Sequence, residues 1–205
     1  MDAERAAGLL LIGGSICFLV GAFNPVLFSV WTAPTETQLR LIAERATAWT
    51  ISNALFLVAT VLTTAGLWLV PDLVGGSGVP VARAATVAYL FGAFAWVVSL
   101  VVRLAVAPKS ASAFVSAGVV DPSYSGLSSL AGGLFVVFTL VAGVSLVALG
   151  LAIVTGGALP VFAGWFAAAL GGVIVVGYLA AGDMPPFVAY LPTGLVGIVL
   201  LLGPR

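Results

Sequence analysis

The chain has 205 residues, of which 62% are hydrophobic and only 7% charged; an ordinary water-soluble domain carries about 25% charged residues, so the class is integral membrane protein. Seven basic and seven acidic side chains cancel, which leaves no basic face to neutralise phosphates and excludes nucleic acid as an expected partner. Histidine is absent, which removes haem held between two histidines, imidazole-built zinc and copper sites and histidine proton shuttles; no cofactor is expected.

A helix needs about 20 predominantly apolar residues to cross roughly 30 Å of hydrocarbon. Six stretches qualify: residues 6–31, 47–70, 81–107, 127–154, 158–179 and 186–201. They are continuously apolar rather than alternating with period two, which argues against a β-barrel. The expected fold is all-α, a polytopic membrane bundle of six transmembrane helices in a single domain.

The first run follows Asp2-Ala3-Glu4-Arg5. Its apolar core is too long for a cleaved leader and its flank is not distinctly positive, so it reads as a retained span. Cys17 lies inside it; a lone cysteine forms no internal disulfide, and apolar surroundings disfavour the reactive thiolate. Asn24 precedes Pro25 about two turns before the end of the run. Proline breaks the helical ladder there, and the carbonyl it frees lines a cavity or accepts from a neighbouring helix.

Residues 32–46 carry more pattern than an ordinary loop. Thr35 and Gln38 spell a threonine-x-x-glutamine capping box. Glu36, Arg40 and Glu44 follow at spacing four on one helical face, with Leu39, Ile42, Ala46 and Trp49 on the other. No glycine or proline intervenes between Glu36 and Gly66. A helical extension before the second span is therefore expected, running straight for roughly 50 Å or bending at the surface. Glu44 and Arg45 stand at its mouth, and Asn53 lies at a depth in the second span similar to that of Asn24. Thr60, Thr63 and Thr64 are expected to pack or to bond back to their own helix.

Pro71 and the Gly75-Gly76-Ser77-Gly78 stretch separate spans two and three; the latter lacks the lysine of a phosphate-binding loop. Arg103 sits one turn inside the end of span three, and residues 108–126 read as a long loop. Gly143 and Gly150 on span four, and Gly164, Ala168 and Gly172 on span five, allow close backbone approach. The short Gly156-Gly157 link makes these two spans antiparallel neighbours. Asp183 occupies the turn before Pro185-Pro186, which open the last span.

Six spans put both termini on one face and the longer connections on the other. Arg103, Asp183, Asn24, Asn53, Glu44 and Arg45 all fall towards the long-loop side and form the candidate binding set. In one reading they build a shallow vestibule, with Arg103 as a fixed charge for an anion or lipid headgroup and Asp183 balancing it when empty. In the other, Arg103 snorkels to the interface and the asparagines make interhelical bonds of about 1 kcal/mol or less. Mid-depth reads as free of ionisable residues, which argues against a proton-coupled pump or voltage sensor. Basic residues divide into Arg5, Arg83 and Arg205 against Arg40, Arg45, Arg103 and Lys109, too even a split to orient the chain.

Further motifs are the Ala7-Gly8-Leu9-Leu10-Leu11-Ile12 run, Leu67-Trp68-Leu69-Val70-Pro71, Leu159-Pro160 with Gly164-Trp165, and Leu191-Pro192-Thr193-Gly194. In these the chain resembles a broad family of bacterial and archaeal six-span membrane proteins known as a domain of unknown function. The resemblance implies a cell-membrane protein with cytoplasmic termini, and implies no activity or catalytic residue. Relatives in that family carry basic residues between spans four and five, where this sequence has none. The expected function is non-enzymatic, exercised through the lipid bilayer or a partner membrane-protein subunit. The alternative is a small transporter or channel-like protein passing a small anion or lipid-like solute through the vestibule. A lipid-acting enzyme ranks third, because neither Ser-x-x-Lys nor HExxH nor a close acid–base pair occurs.

Overall fold

The computed structural model describes residues 2–203; Arg205, counted above, lies outside the described residues. Among the described residues all regular structure is helical. Five helical stretches are long and apolar enough to cross a membrane, and a shorter apolar one spans Pro186–Leu202. The chain is thus an all-α, multi-pass membrane bundle.

The long helices are α1 (Ala3–Ala22), α4 (Ala46–Leu69), α6 (Val79–Val101, after the one-turn α5 at Pro71–Val74), α8 (Pro122–Gly156) and α9 (Val161–Ala181). α10 (Tyr190–Leu202) follows a 3-10 turn at Pro186–Ala189. Each packs on two neighbours, in the cyclic order α1, α4, α6, α8, α9, α10. Aromatic rings fill the interior. Phe18 stacks between Phe56 and Tyr190, at centroid distances of 4.4 and 3.9 Å. Trp96 stacks on Phe138 at 5.5 Å. Lipid tails are as apolar as these side chains, so close packing and dispersion, rather than escape from water, hold the helices together.

Glycines set the tightest seams. On α8 and α9 the contacting pairs are Gly143 with Gly171 and Gly150 with Gly164: a Cβ on Gly171 would lie 2.6 Å from the Gly143 carbonyl, and one on Gly164 2.7 Å from the Gly150 carbonyl. The expected antiparallel seam therefore exists, but Gly172 is not part of it; its Cβ position meets open space. The seven-residue interval between Gly164 and Gly171 matches that between Gly143 and Gly150, whereas a spacing of four drifts off the contact line. Gly8 on α1 and Gly197 on α10 form a reciprocal pair at 2.9 Å.

Three expectations about the long-loop side need correction. The first run is not one helix: it stops at Ala22, and Asn24 starts a separate α2 (Pro25–Trp31). Of the two courses open to the helical extension before the second span, the chain takes the bend: Arg45, with φ of −126° and ψ of 37°, separates α3 (Thr35–Glu44) from α4. The capping box does not form. Pro34 is the N-cap, and Gln38 turns back to donate to the Ala33 carbonyl at 2.8 Å. Finally, residues 108–126 are mostly helical. The third span passes through a π-turn at Val102–Val106 into α7 (Ala107–Ala117), which ends at Gly118 with φ of +72°. Asp121 then caps α8 by accepting from the Ser123 N–H at 2.8 Å. At 35 residues, α8 is about 52 Å long, well over the roughly 30 Å of a hydrocarbon core.

The result is a helical cover on one end of the bundle. α3 buries Leu39 and Ile42 and exposes Glu36, Arg40 and Glu44, and it packs on α7. Arg40 lies over the Phe114 ring at 5.2 Å.

Candidate functional site

Pro108 shapes the site. In the π-turn the Ala107 N–H bonds back five residues to the Val102 carbonyl. By the same pattern the Arg103 carbonyl would accept from residue 108, which as proline has no N–H. A carbonyl left bare in low dielectric costs about 1–3 kcal/mol. Trp49 of α4 supplies the missing donor, its Nε1 lying 2.8 Å from the Arg103 carbonyl. A local sequence defect is thereby converted into an interhelical bond that fixes the backbone beneath Arg103.

The Arg103 side chain enters a cavity of about 390 Å³ under the α3–α7 cover. Its guanidinium carbon lies 5.0 Å from the Trp96 ring centroid and 5.6 Å from that of Trp31. Both distances fall within cation–π range. Trp31 is held in turn: its Nε1 donates to Asp183 Oδ2 at 2.8 Å, and its ring meets Phe135 edge-on at 5.4 Å. The other Asp183 oxygen accepts from the Met184 N–H at 2.8 Å. Asp183 therefore serves Trp31 and its own turn. Among the described residues no carboxylate lies within ion-pair distance of Arg103; the ion pair that forms joins the exposed Arg83 and Asp72 at 3.1 Å, near the opposite end. Gln38, Tyr124 and Ser128 add polar groups to the cavity wall.

Of the six candidate residues, the cavity brings together two, Arg103 and Asp183. They are linked through Trp31 and form no direct ion pair. Asn24 is a helix cap: its Oδ1 accepts from the Val26 N–H at 3.2 Å, and its Nδ2 makes a long 3.5 Å contact to the Ala48 carbonyl. Asn53 is wholly buried, donates to the Trp49 carbonyl at 2.8 Å and leaves Oδ1 without a partner. It steadies the helix turn that carries Trp49 and does not line the cavity. Glu44 and Arg45 are exposed at the α3–α4 break.

The residues that sequence reasoning passed over are Trp31, Trp49 and Trp96. Trp31 and Trp49 sit at span ends, where tryptophan looks like an ordinary interfacial anchor, Trp96 lies within an apolar run, and no pattern separates those aimed inward. Mid-depth also holds more than expected, since the phenols Tyr89 and Tyr190 are both buried in the bundle. The Tyr190 hydroxyl lies 3.2 Å from Thr60 Oγ1, and Thr60 also donates back to the Phe56 carbonyl at 2.7 Å. Among the described residues no group of three or more Cys, Asp or Glu side chains gathers where a metal ion would fit. The chain finds no match among protein-family models, curated proteins or solved structures.

Proposed function

We propose that the chain is a non-enzymatic membrane protein that holds the anionic group of a lipid-like ligand in the cavity around Arg103. The observation that carries this reading is the state of that guanidinium: braced between the faces of Trp31 and Trp96, with no carboxylate partner among the described residues. A snorkelling arginine extends its head into the headgroup layer and needs no brace. Here the backbone is pinned by Trp49 and the side chain is positioned by two rings, which is preorganisation for a ligand. Aromatic faces satisfy none of the five guanidinium N–H donors, and a phosphate or carboxylate accepts two of them in parallel.

In this reading the shorter Pro186–Leu202 stretch completes a sixth crossing of the cell membrane. Both chain ends face the cytoplasm, in keeping with the six-span family resemblance, and the cavity opens on the other side. The packed aromatic interior beneath Arg103 favours retention of the ligand over its passage. The exposed α3–α7 cover is the surface on which a partner subunit would read occupancy.

The test is native mass spectrometry of protein extracted with its lipids, comparing wild type with Arg103→Gln and Arg103→Lys. Wild type should retain anionic lipid in preference to neutral lipid. Arg103→Gln should lose that preference, and Arg103→Lys should keep only part of it, because an ammonium lacks the planar fork. Identical lipid profiles in all three would overturn the proposal.

A further inference from the structure

Beside the Arg103 cavity lies a second one of about 200 Å³, and the two share Leu27, Trp31 and Asp183 as common wall. Its other walls are almost wholly apolar, with Ala22, Phe28, Phe56 and Phe187 among them. It exists because the helical break at Asn24 turns α2 away from α1, while Pro185 and Pro186 hold the chain entering α10 in a non-α turn. Two proline-enforced interruptions thus face one another across a gap that straight helices would close. Phe28 at its edge is 58% exposed, so the groove opens at an apolar surface of the bundle.

We infer that the two cavities form one bipartite site for an anionic glycerophospholipid, whose headgroup meets Arg103 and whose acyl chain lies in the Phe28–Phe187 groove. This deepens the function proposed above and rests on it. A water-soluble anion would pair with Arg103 but leave the groove to chance occupants. A zwitterionic lipid would fill the groove while bringing its own cation against the guanidinium. An anionic lipid satisfies both compartments at once, by charge complementarity in one and dispersion in the other. Trp31 is the divider. Its face lies under the guanidinium and its Nε1 is tied to Asp183, so the position of the headgroup–chain junction is fixed by one ring.

The experiment uses delipidated full-length protein in detergent and three probes: phosphatidylglycerol, phosphatidylcholine with the same chains, and glycerol phosphate as the headgroup without chains. Binding is read by native mass spectrometry and by the thermal shift each probe produces. Three variants are compared with wild type: Arg103→Gln, Ala22→Phe, which fills the groove, and Phe28→Gln, which makes its exposed edge polar. Wild type should bind phosphatidylglycerol at least tenfold tighter than either other probe. Ala22→Phe and Phe28→Gln should cut that affinity about tenfold and leave glycerol phosphate binding unchanged. If both groove variants bind phosphatidylglycerol as wild type does while Arg103→Gln does not, the bipartite site is overturned and the anion-holding function stands. If Arg103→Gln binds it as wild type does, both fall. Should Ala22→Phe fail to purify as a single species, Phe28→Gln decides alone, since an exposed side chain carries little of the packing.

Discussion

The indole of Trp49 and the backbone carbonyl of Arg103 are 2.8 Å apart, and this bond repairs a vacancy made by Pro108 five residues downstream. The widened turn at Val102–Val106 is the kind of helical irregularity that recurs at functional sites. Here its cause and its use coincide. Proline denies the carbonyl its intrahelical donor, a neighbouring span provides one, and Arg103 is fixed where it projects into the cavity.

Trp49→Phe should therefore destabilise the protein by about 1–3 kcal/mol, the cost of an unpaired buried carbonyl. Pro108→Ala restores an N–H at position 108 and offers the carbonyl a donor within its own helix. The penalty of Trp49→Phe should shrink when the two substitutions are combined, so that the pair couples in a double-mutant cycle of unfolding in detergent. Strictly additive effects would mean that the proline and the tryptophan do not share this carbonyl.

Asp183 makes a second, opposing prediction. An asparagine at that position still accepts from Trp31 through its amide oxygen, gives up the bond from the exposed Met184 N–H because its amide nitrogen only donates, and contributes no negative charge. Asp183→Asn should thus strengthen retention of anionic lipid by about 1 kcal/mol, the scale of a unit charge in a well-hydrated setting. Asp183→Ala should weaken it, because Trp31 loses its tether at Nε1. Titration of both variants with phosphatidylglycerol checks the sign: a fall in both would make the charge of Asp183 part of the binding.

The membrane bundle was legible because continuous apolar runs admit few other solutions, and Arg103 and Asp183 were legible because charge near hydrocarbon is costly. Asn24 carried a readable signal that the surrounding apolar run obscured: an asparagine just before proline is a helix start. Arg45 carried none. No breaker residue marks the α3–α4 bend, which arises where an amphipathic helix lying on the bundle meets one entering it. Trp31 and Trp96 were illegible for a different reason. Which face of a span looks inward is set by its neighbours, and an apolar helix has little polar contrast to reveal it.

The glycine seam of α8 and α9 gives a prediction in which adjacent residues behave oppositely. Gly171→Val pushes a side chain into the Gly143 carbonyl and should cost about 1–3 kcal/mol or more through overpacking. Gly172→Val, one residue on, meets open space and should leave stability within about 0.5 kcal/mol of wild type. Unfolding in detergent separates them, and equal losses would displace the seam by one residue.

Tyr190 tests whether its hydroxyl or its ring anchors the last helix. α10 has only 13 residues and few ways to stay registered against α1. The Tyr190 ring stacks on Phe18 at 3.9 Å and is wholly buried, while its hydroxyl meets Thr60 at 3.2 Å. Thr60 is already bonded to the Phe56 carbonyl at 2.7 Å, so losing the phenolic partner strands no donor. Tyr190→Phe should accordingly cost about 0.6 kcal/mol, the usual worth of a side-chain hydrogen bond between spans. Tyr190→Ala should cost about 3–5 kcal/mol, because it opens a ring-sized void that rigid neighbours cannot close. The ratio between the two losses, measured by unfolding in detergent, is the discriminating quantity. Comparable losses would put the anchor in the hydroxyl and make the Tyr190–Thr60 contact, rather than the aromatic stack, the joint that holds α10 in place.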